Sequence, residues 1–120
     1  MLATGRQKFE RMRDGRVVYI GAERVDDVTA HPAFRKGAET VAALYDLKAD
    51  PAKAALFCYE ENGERYALQW LRCRTQDDLR RRMRALRATA EATYGFIGRS
   101  PEQVAGLITG LAMNPSVLEN

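Results

Sequence analysis

The chain has 120 residues, a formal charge of +3, 46% hydrophobic and 29% charged residues. That is enough for one domain with a modest core, and ordinary for a globular protein. No run approaches eighteen apolar residues, so no transmembrane helix is expected, and MLATGRQKFERMRDG has no apolar core of signal-peptide type.

Taken in order, Thr4 is a helix N-cap with Gln7 at the capping-box position, and Phe9 and Met12 are the helix's apolar positions. Asp14-Gly15 ends it. Arg16 to Ile20 reads as a strand, Gly21-Ala22 as a turn and Glu23 to Val25 as the return strand. Asp26 to His31 is a connector. Its His31, the only histidine of the chain, is expected to be structural and to cap the helix that Pro32 opens. Phe34, Ala38, Val41 and Tyr45 recur at helical spacing as that helix's buried stripe, and Asp50-Pro51 marks its end.

Leu56 to Glu60 and Arg65 to Trp70 form a second hairpin across Glu61-Asn62-Gly63-Glu64, because Asn-Gly between apolar-rich runs favours a tight turn. Thr75, with Asp78 three residues on, caps the longest helix, whose expected buried stripe is Leu79, Met83, Leu86, Ala90 and Thr93. Gly95 then suits a left-handed C-terminal position. Ser100-Pro101 starts a last helix, with Gln103 at the capping-box position. Val104, Leu107, Ile108, Leu111 and Ala112 make this helix apolar, so burial is expected, either on the preceding helix or, for Leu107, Leu111 and their neighbours, against further protein, with Gly106 and Gly110 allowing a close approach. Helices are thus expected near residues 4–13, 32–47, 76–94 and 101–113. The fold class is mostly α with two small β-hairpins.

Three groups carry possible chemistry. Cys58 and Cys73 lack the spacing of a metal motif and read as free thiols of a reducing cytosol, with a disulfide or metal role as the lesser alternative and no metal site expected. Seven arginines fall between Arg72 and Arg87. Without interleaved aromatic residues on the helix, and with Asp77, Asp78 and Glu91 beside them, they read as a solvated or subunit-facing side. Nucleic acid is not the expected partner. An attraction for an anionic flavin or substrate is a lesser alternative. Arg99 is different. It lies in a short joint just before a helix N-terminus, where a guanidinium adds a fork of donors for an anionic oxygen. From the residues alone, a helix-end salt bridge is the alternative role for Arg99, and a capping-box partner of Ser100 the alternative for Gln103.

The strings AEATYGFIGRSP and LAMNP, the opening TGRQKFERMRDGRVVYIGAERVDDVTAHPAF, AALYDL, and the hairpin before RCRTQDDL resemble, in order and in register, the N-terminal domain of the 4-hydroxyphenylacetate 3-monooxygenase family. These are oxygenase components of two-component, reduced-flavin-dependent aromatic hydroxylases. The resemblance implies that residues 1–120 are the N-terminal helical domain of an acyl-CoA-dehydrogenase-like flavoenzyme. A middle β domain and a C-terminal helical bundle are absent from this chain, which alone should be inactive. It implies FAD, reduced by a separate flavin reductase, a phenolic substrate such as 4-hydroxyphenylacetate, a homo-oligomer and a cytoplasmic location, with no membrane contact.

By the same resemblance, Arg99 matches the arginine that lies near flavin and substrate and steadies the peroxyflavin, a catalytic, substrate-binding and cofactor-binding role. Gln103 stands where the phenol hydroxylases usually have a substrate-contacting tyrosine, which leaves the substrate open. The family's substrate-contacting histidine would fall beyond Asn120. A 4-hydroxybutyryl-CoA dehydratase reading is disfavoured, because no cysteine follows Cys73. A freestanding or split-subunit module docking on a flavin-binding partner is the alternative outside enzymology.

Overall fold

A computed structural model describes residues 2–95 and 101–119 of the chain. They fall into two compact units, Leu2–Asp50 and Pro51–Asn120.

In the first unit, helix α1 (Gly5–Met12) is followed by strands β1 (Val18–Ile20) and β2 (Glu23–Val25) and by helix α2 (Pro32–Ala49). The capping box at Thr4 and Gln7 forms as expected. β1 and β2 pair antiparallel, Val18 opposite Val25, around Gly21 at φ +58°. The first strand is shorter than the expected run from Arg16. Instead the Arg16 guanidinium and its backbone N–H both turn to the Asp14 carboxylate, holding that carboxyl down at about 2, chiefly through the side-chain bond. His31 caps α2, its Nδ1 accepting from the Ala33 N–H at 3.2 Å while Nε2 lies 3.2 Å from Glu23 Oε1.

Ala38 of the expected stripe is buried, with Phe34, Val41 and Tyr45 half-buried beside it. Ala42 and Leu44 are also buried. α1 packs on α2 through Gly5, whose N–H donates to Asp46 Oδ1 at 2.7 Å. Arg13 ties the end of α1 to the connector after β2, donating to Asp27 and to Thr29 at 3.0 Å each. Hydrogen bonds from the Thr29 hydroxyl and N–H, more than Arg13, lower the Asp27 carboxyl below its ordinary range.

The second unit begins with a 3₁₀ turn (Pro51–Lys53) and helix α3 (Ala54–Phe57). Strands β3 (Cys58–Glu61) and β4 (Glu64–Ala67) follow, then a 3₁₀ turn (Leu68–Trp70), helices α4 (Gln76–Ala92) and α5 (Pro101–Met113), and a last 3₁₀ turn (Pro115–Leu118). The hairpin turns at Asn62-Gly63, both at positive φ, as its two-residue turn requires. It is shorter at both outer ends than the sequence suggests. Ala54–Phe57 winds into one helical turn that buries Phe57, and Leu68–Trp70 winds into a 3₁₀ turn that buries Leu68 almost completely. α4 and α5 both pack on this Leu68 turn.

Two expectations about these helices are corrected. The stripe Leu79, Met83 and Leu86 of α4 is exposed, and Ala90 with it. The buried side of α4 is the neighbouring face, Ala85 and Thr89; of the expected stripe only Thr93, at the C-cap, is buried. Likewise α5 buries the small residues Ala105 and Thr109 and exposes Val104, Leu107 and Ile108. Small side chains let an element settle close to its support, and the bulkier rows of both helices are left outside. The expected tight approach at Gly106 and Gly110 is also absent. A Cβ at Gly106 would lie an ordinary 3.5 Å from Arg82 Nη2, and one at Gly110 would meet nothing within 4 Å among the described residues.

Candidate functional site

The sequence places its candidate site where α4 ends and α5 begins. α4 starts with its capping box, Thr75 accepting from the Asp78 N–H at 3.1 Å and Asp78 accepting from the N–H groups of Arg74 and Thr75. Those donors, the Arg74 N–H foremost, hold the Asp78 carboxyl below its ordinary range. α4 ends in a paired motif: the Gly95 N–H donates to the Ala90 carbonyl at 2.9 Å and the Tyr94 N–H to that of Glu91 at 3.3 Å. Tyr94, at φ +51°, therefore takes the left-handed position one residue before the one expected of Gly95, which is itself at φ +73°. Tyr94 is 89% exposed.

Arg99 and Ser100, the first the central residue of the expected site, lie outside the described residues, and so does the expected Ser100–Gln103 capping box. Gln103 lies in the first turn of α5 and is exposed. Leu107 stands one turn further along the same face, with Val104 and Ile108 beside it. An amide that can donate and accept thus stands on an uncovered apolar surface.

Side chains, not close backbone packing, hold α5 in register with α4. The Thr89 hydroxyl donates to the Ala85 carbonyl at 3.0 Å and lies 3.4 Å from Glu102 Oε1. Two turns away, Arg82 Nη1 donates to Thr109 Oγ1 at 3.1 Å and to the Leu71 carbonyl at 3.4 Å. The two ties run in opposite directions along the helices, so α4 and α5 are antiparallel. Arg82 was indistinguishable by sequence from its solvated neighbours. Its only signal was a position on the Ala85–Thr89 face of the helix.

The other arginines behave as the solvated reading expects in part. Arg87 pairs with Glu91 at 2.8 Å, Arg80 reaches Gln76 Oε1 at 3.4 Å, and Arg81 reaches the Cys58 carbonyl at 3.5 Å. Cys58 is buried, and burial raises its thiol pKa above the ordinary range against the opposing charge of Arg65. No helix among the described residues is long and apolar enough to cross a membrane.

The profile of the family described as "4-hydroxyphenylacetate 3-hydroxylase N terminal" matches residues 4–120. The chain is 39% identical over 116 residues to a 4-hydroxyphenylacetate 3-monooxygenase oxygenase component of Pseudomonas aeruginosa, covering 93% of this chain and 22% of the relative. It is 39% identical over 118 residues to a Streptomyces globisporus monooxygenase named for a carrier-protein-bound 3-amino-3-(3-chloro-4-hydroxyphenyl)propanoyl group, covering 97% and 22%. A crystal structure of a 4-hydroxyphenylacetate 3-monooxygenase oxygenase component with FAD and 4-hydroxyphenylacetate superposes with a TM-score of 0.86 at 35% identity, over 92% of this chain and 23% of that one. The chain therefore spans between a fifth and a quarter of the length of these relatives.

Proposed function

The chain belongs to the 4-hydroxyphenylacetate 3-hydroxylase family as its N-terminal region, and from that premise we propose that it is the N-terminal part of a reduced-FAD-dependent monooxygenase that hydroxylates a phenol beside its existing hydroxyl. The observation that carries the reading is the family match over residues 4–120, a span that includes the α4–α5 joint.

The described residues fit one edge of a flavin–phenol cavity. A flat aromatic ring needs apolar cover and a few directional polar groups. The exposed Leu107, Val104 and Ile108 offer the first, and Gln103 the second. The remaining walls would come from protein outside this chain. Within the proposal, Gln103 hydrogen-bonds a ring substituent of the substrate or cofactor. Arg99, charged at any working pH, holds an anionic oxygen beside the ring. Bound reduced flavin would supply the two electrons that let one atom of dioxygen enter the ring while the other leaves as water.

The accompanying partners belong to the same proposal: a separate flavin reductase, the middle and C-terminal domains, and a second copy of the complete enzyme. A reducing cytosol suits Cys58 and Cys73, neither of which forms a disulfide among the described residues. Gln103 in place of a tyrosine leaves the particular phenol open, and relatives named for 4-nitrophenol and for a carrier-bound phenol illustrate the range.

The test supplies the complete oxygenase with FAD, a reductase and a panel of phenols, and measures catechol by chromatography. Catechol formed in proportion to flavin reduced is the expected result. The 120-residue chain by itself should retain no FAD and form no catechol above the free-flavin background. Flavin oxidation by the complete enzyme that releases only hydrogen peroxide, with every phenol tried, would overturn the proposal.

A further inference from the structure

The end of α4 carries a strained residue that its own unit does not explain. Thr93 anchors that end: it is buried, and its hydroxyl donates to the Thr89 and Ala90 carbonyls at 3.1 and 3.2 Å. The chain then turns left-handed twice, at Tyr94 (φ +51°) and Gly95 (φ +73°), while their N–H groups close the helix onto the Glu91 and Ala90 carbonyls. The first left-handed position after a helix is usually glycine, because a Cβ there crowds the neighbouring carbonyl. A large aromatic residue gains nothing from the backbone at this place. Nor does its ring recover the cost by packing. Tyr94 is 89% exposed, the most exposed large apolar side chain among the described residues.

The surroundings supply what the local fold lacks. Thr89 of α4 faces Glu102 of α5 at 3.4 Å, and the two helices are antiparallel. Tyr94 lies five residues beyond Thr89 on one helix, and Gln103 follows Glu102 directly on the other. Both therefore belong to the same end of the pair. There α5 exposes Gln103, Val104 and Leu107. An amide, an aliphatic row and an uncommitted aromatic side chain are the parts that hold a flat aromatic ring. The aliphatic groups cover it, the amide fixes a substituent, and a second ring stacks on it or meets it edge-on. Backbone strain of this kind collects at ligand sites, where binding makes use of the side chain that the strain displays.

We propose that Tyr94 is a ring-binding residue of the flavin–phenol cavity, its side chain packing against the flat aromatic ring of the phenol or of FAD at this end of α4 and α5. The inference rests on the hydroxylase reading and adds one contact to it.

The test uses the complete oxygenase. Tyr94→Asn and Tyr94→Gly remove the ring and keep a residue that accepts the left-handed conformation, whereas Tyr94→Phe keeps the ring. Equilibrium titration gives the Kd for FAD, and steady-state turnover with saturating reduced FAD gives KM and kcat for the phenol. In both ring-less variants the phenol KM or the FAD Kd should rise roughly three- to tenfold, the range of one lost aromatic contact. A rise in KM alone assigns the contact to the phenol, a rise in Kd alone to the flavin, and a rise in both to a ring that touches the two. Tyr94→Phe should stay within about twofold of wild type on both measures. The melting temperature of the ligand-free Tyr94→Gly enzyme should be no lower than that of wild type.

Unchanged KM and Kd in the ring-less variants would overturn the proposal. A fall in ligand-free melting temperature with both constants unchanged would do so in favour of a contact with protein. An effect in Tyr94→Gly that Tyr94→Asn lacks would do so in favour of chain stiffness. None of these touches the hydroxylase reading so long as the wild-type enzyme forms catechol. A wild-type enzyme that forms none from any phenol tried would overturn that reading, and this inference with it.

Discussion

Gly5 shows how much one missing side chain can decide. A Cβ there would sit 2.5 Å from the Ala42 carbonyl oxygen and 2.5 Å from Asp46 Oδ2, and only glycine leaves room for α1 to lie on α2. Gly5→Ala should destabilise the protein by about 1–3 kcal/mol, the usual cost of forcing an atom into a packed contact. Denaturant unfolding followed by far-UV circular dichroism measures it. An unchanged midpoint would mean that the helices separate without cost. Tyr94 is the opposite case. It holds a left-handed conformation at φ +51° with an almost fully exposed ring, so nothing in the described unit compensates for the strain. Tyr94→Gly should raise stability by about 1 kcal/mol, because glycine reaches that conformation without steric cost. A lower melting temperature would show that the ring makes a contact that matters. The sequence pointed to a left-handed end near Gly95, but the motif has two such residues, and the tyrosine carries the strained one.

At the scale of elements, capping boxes, the Asn-Gly turn and the His31 cap were legible, because each is a bond between residues within a few positions of one another. The faces of α4 and α5 were not. Helical periodicity identifies a row of apolar residues, but it does not say which row lies against this chain. Here Ala85 and Thr89, with the tie from Arg82, won over the bulkier Leu79 row. Short helical turns such as Ala54–Phe57 and Leu68–Trp70 have no period to read, so their apolar residues read as extensions of the second hairpin. Arg82 is the element-scale prediction. Arg82→Met keeps the stem and removes the bonds to Thr109 and the Leu71 carbonyl, and should cost about 1–3 kcal/mol. Arg84→Met, on the exposed side of the same helix, should fall within about 0.5 kcal/mol of wild type. Equal thermal shifts in the two variants would contradict the assigned tie.

For the molecule as a whole, the family was legible in several short strings kept in register, and the match over residues 4–120 bears it out. The candidate site was only partly legible. Gln103 is exposed at the start of an apolar helix, as an edge of a shared cavity would be, while Arg99 lies outside the described residues. The central claim is that this chain contributes Arg99 to a flavin–phenol cavity completed by other domains. The measurement that meets it most directly is product formed per reduced flavin in the complete oxygenase, for wild type, Arg99→Ala and Arg99→Lys. Losing one fixed donor beside developing negative charge typically costs about 3–4 kcal/mol at the transition state, so the alanine variant should lose roughly a hundredfold or more in hydroxylation. Its melting temperature should stay close to wild type. Lysine should restore only part, since it keeps the charge and loses the planar fork. Undiminished product yield in the alanine variant would contradict the account and leave Arg99 as a helix-end salt bridge.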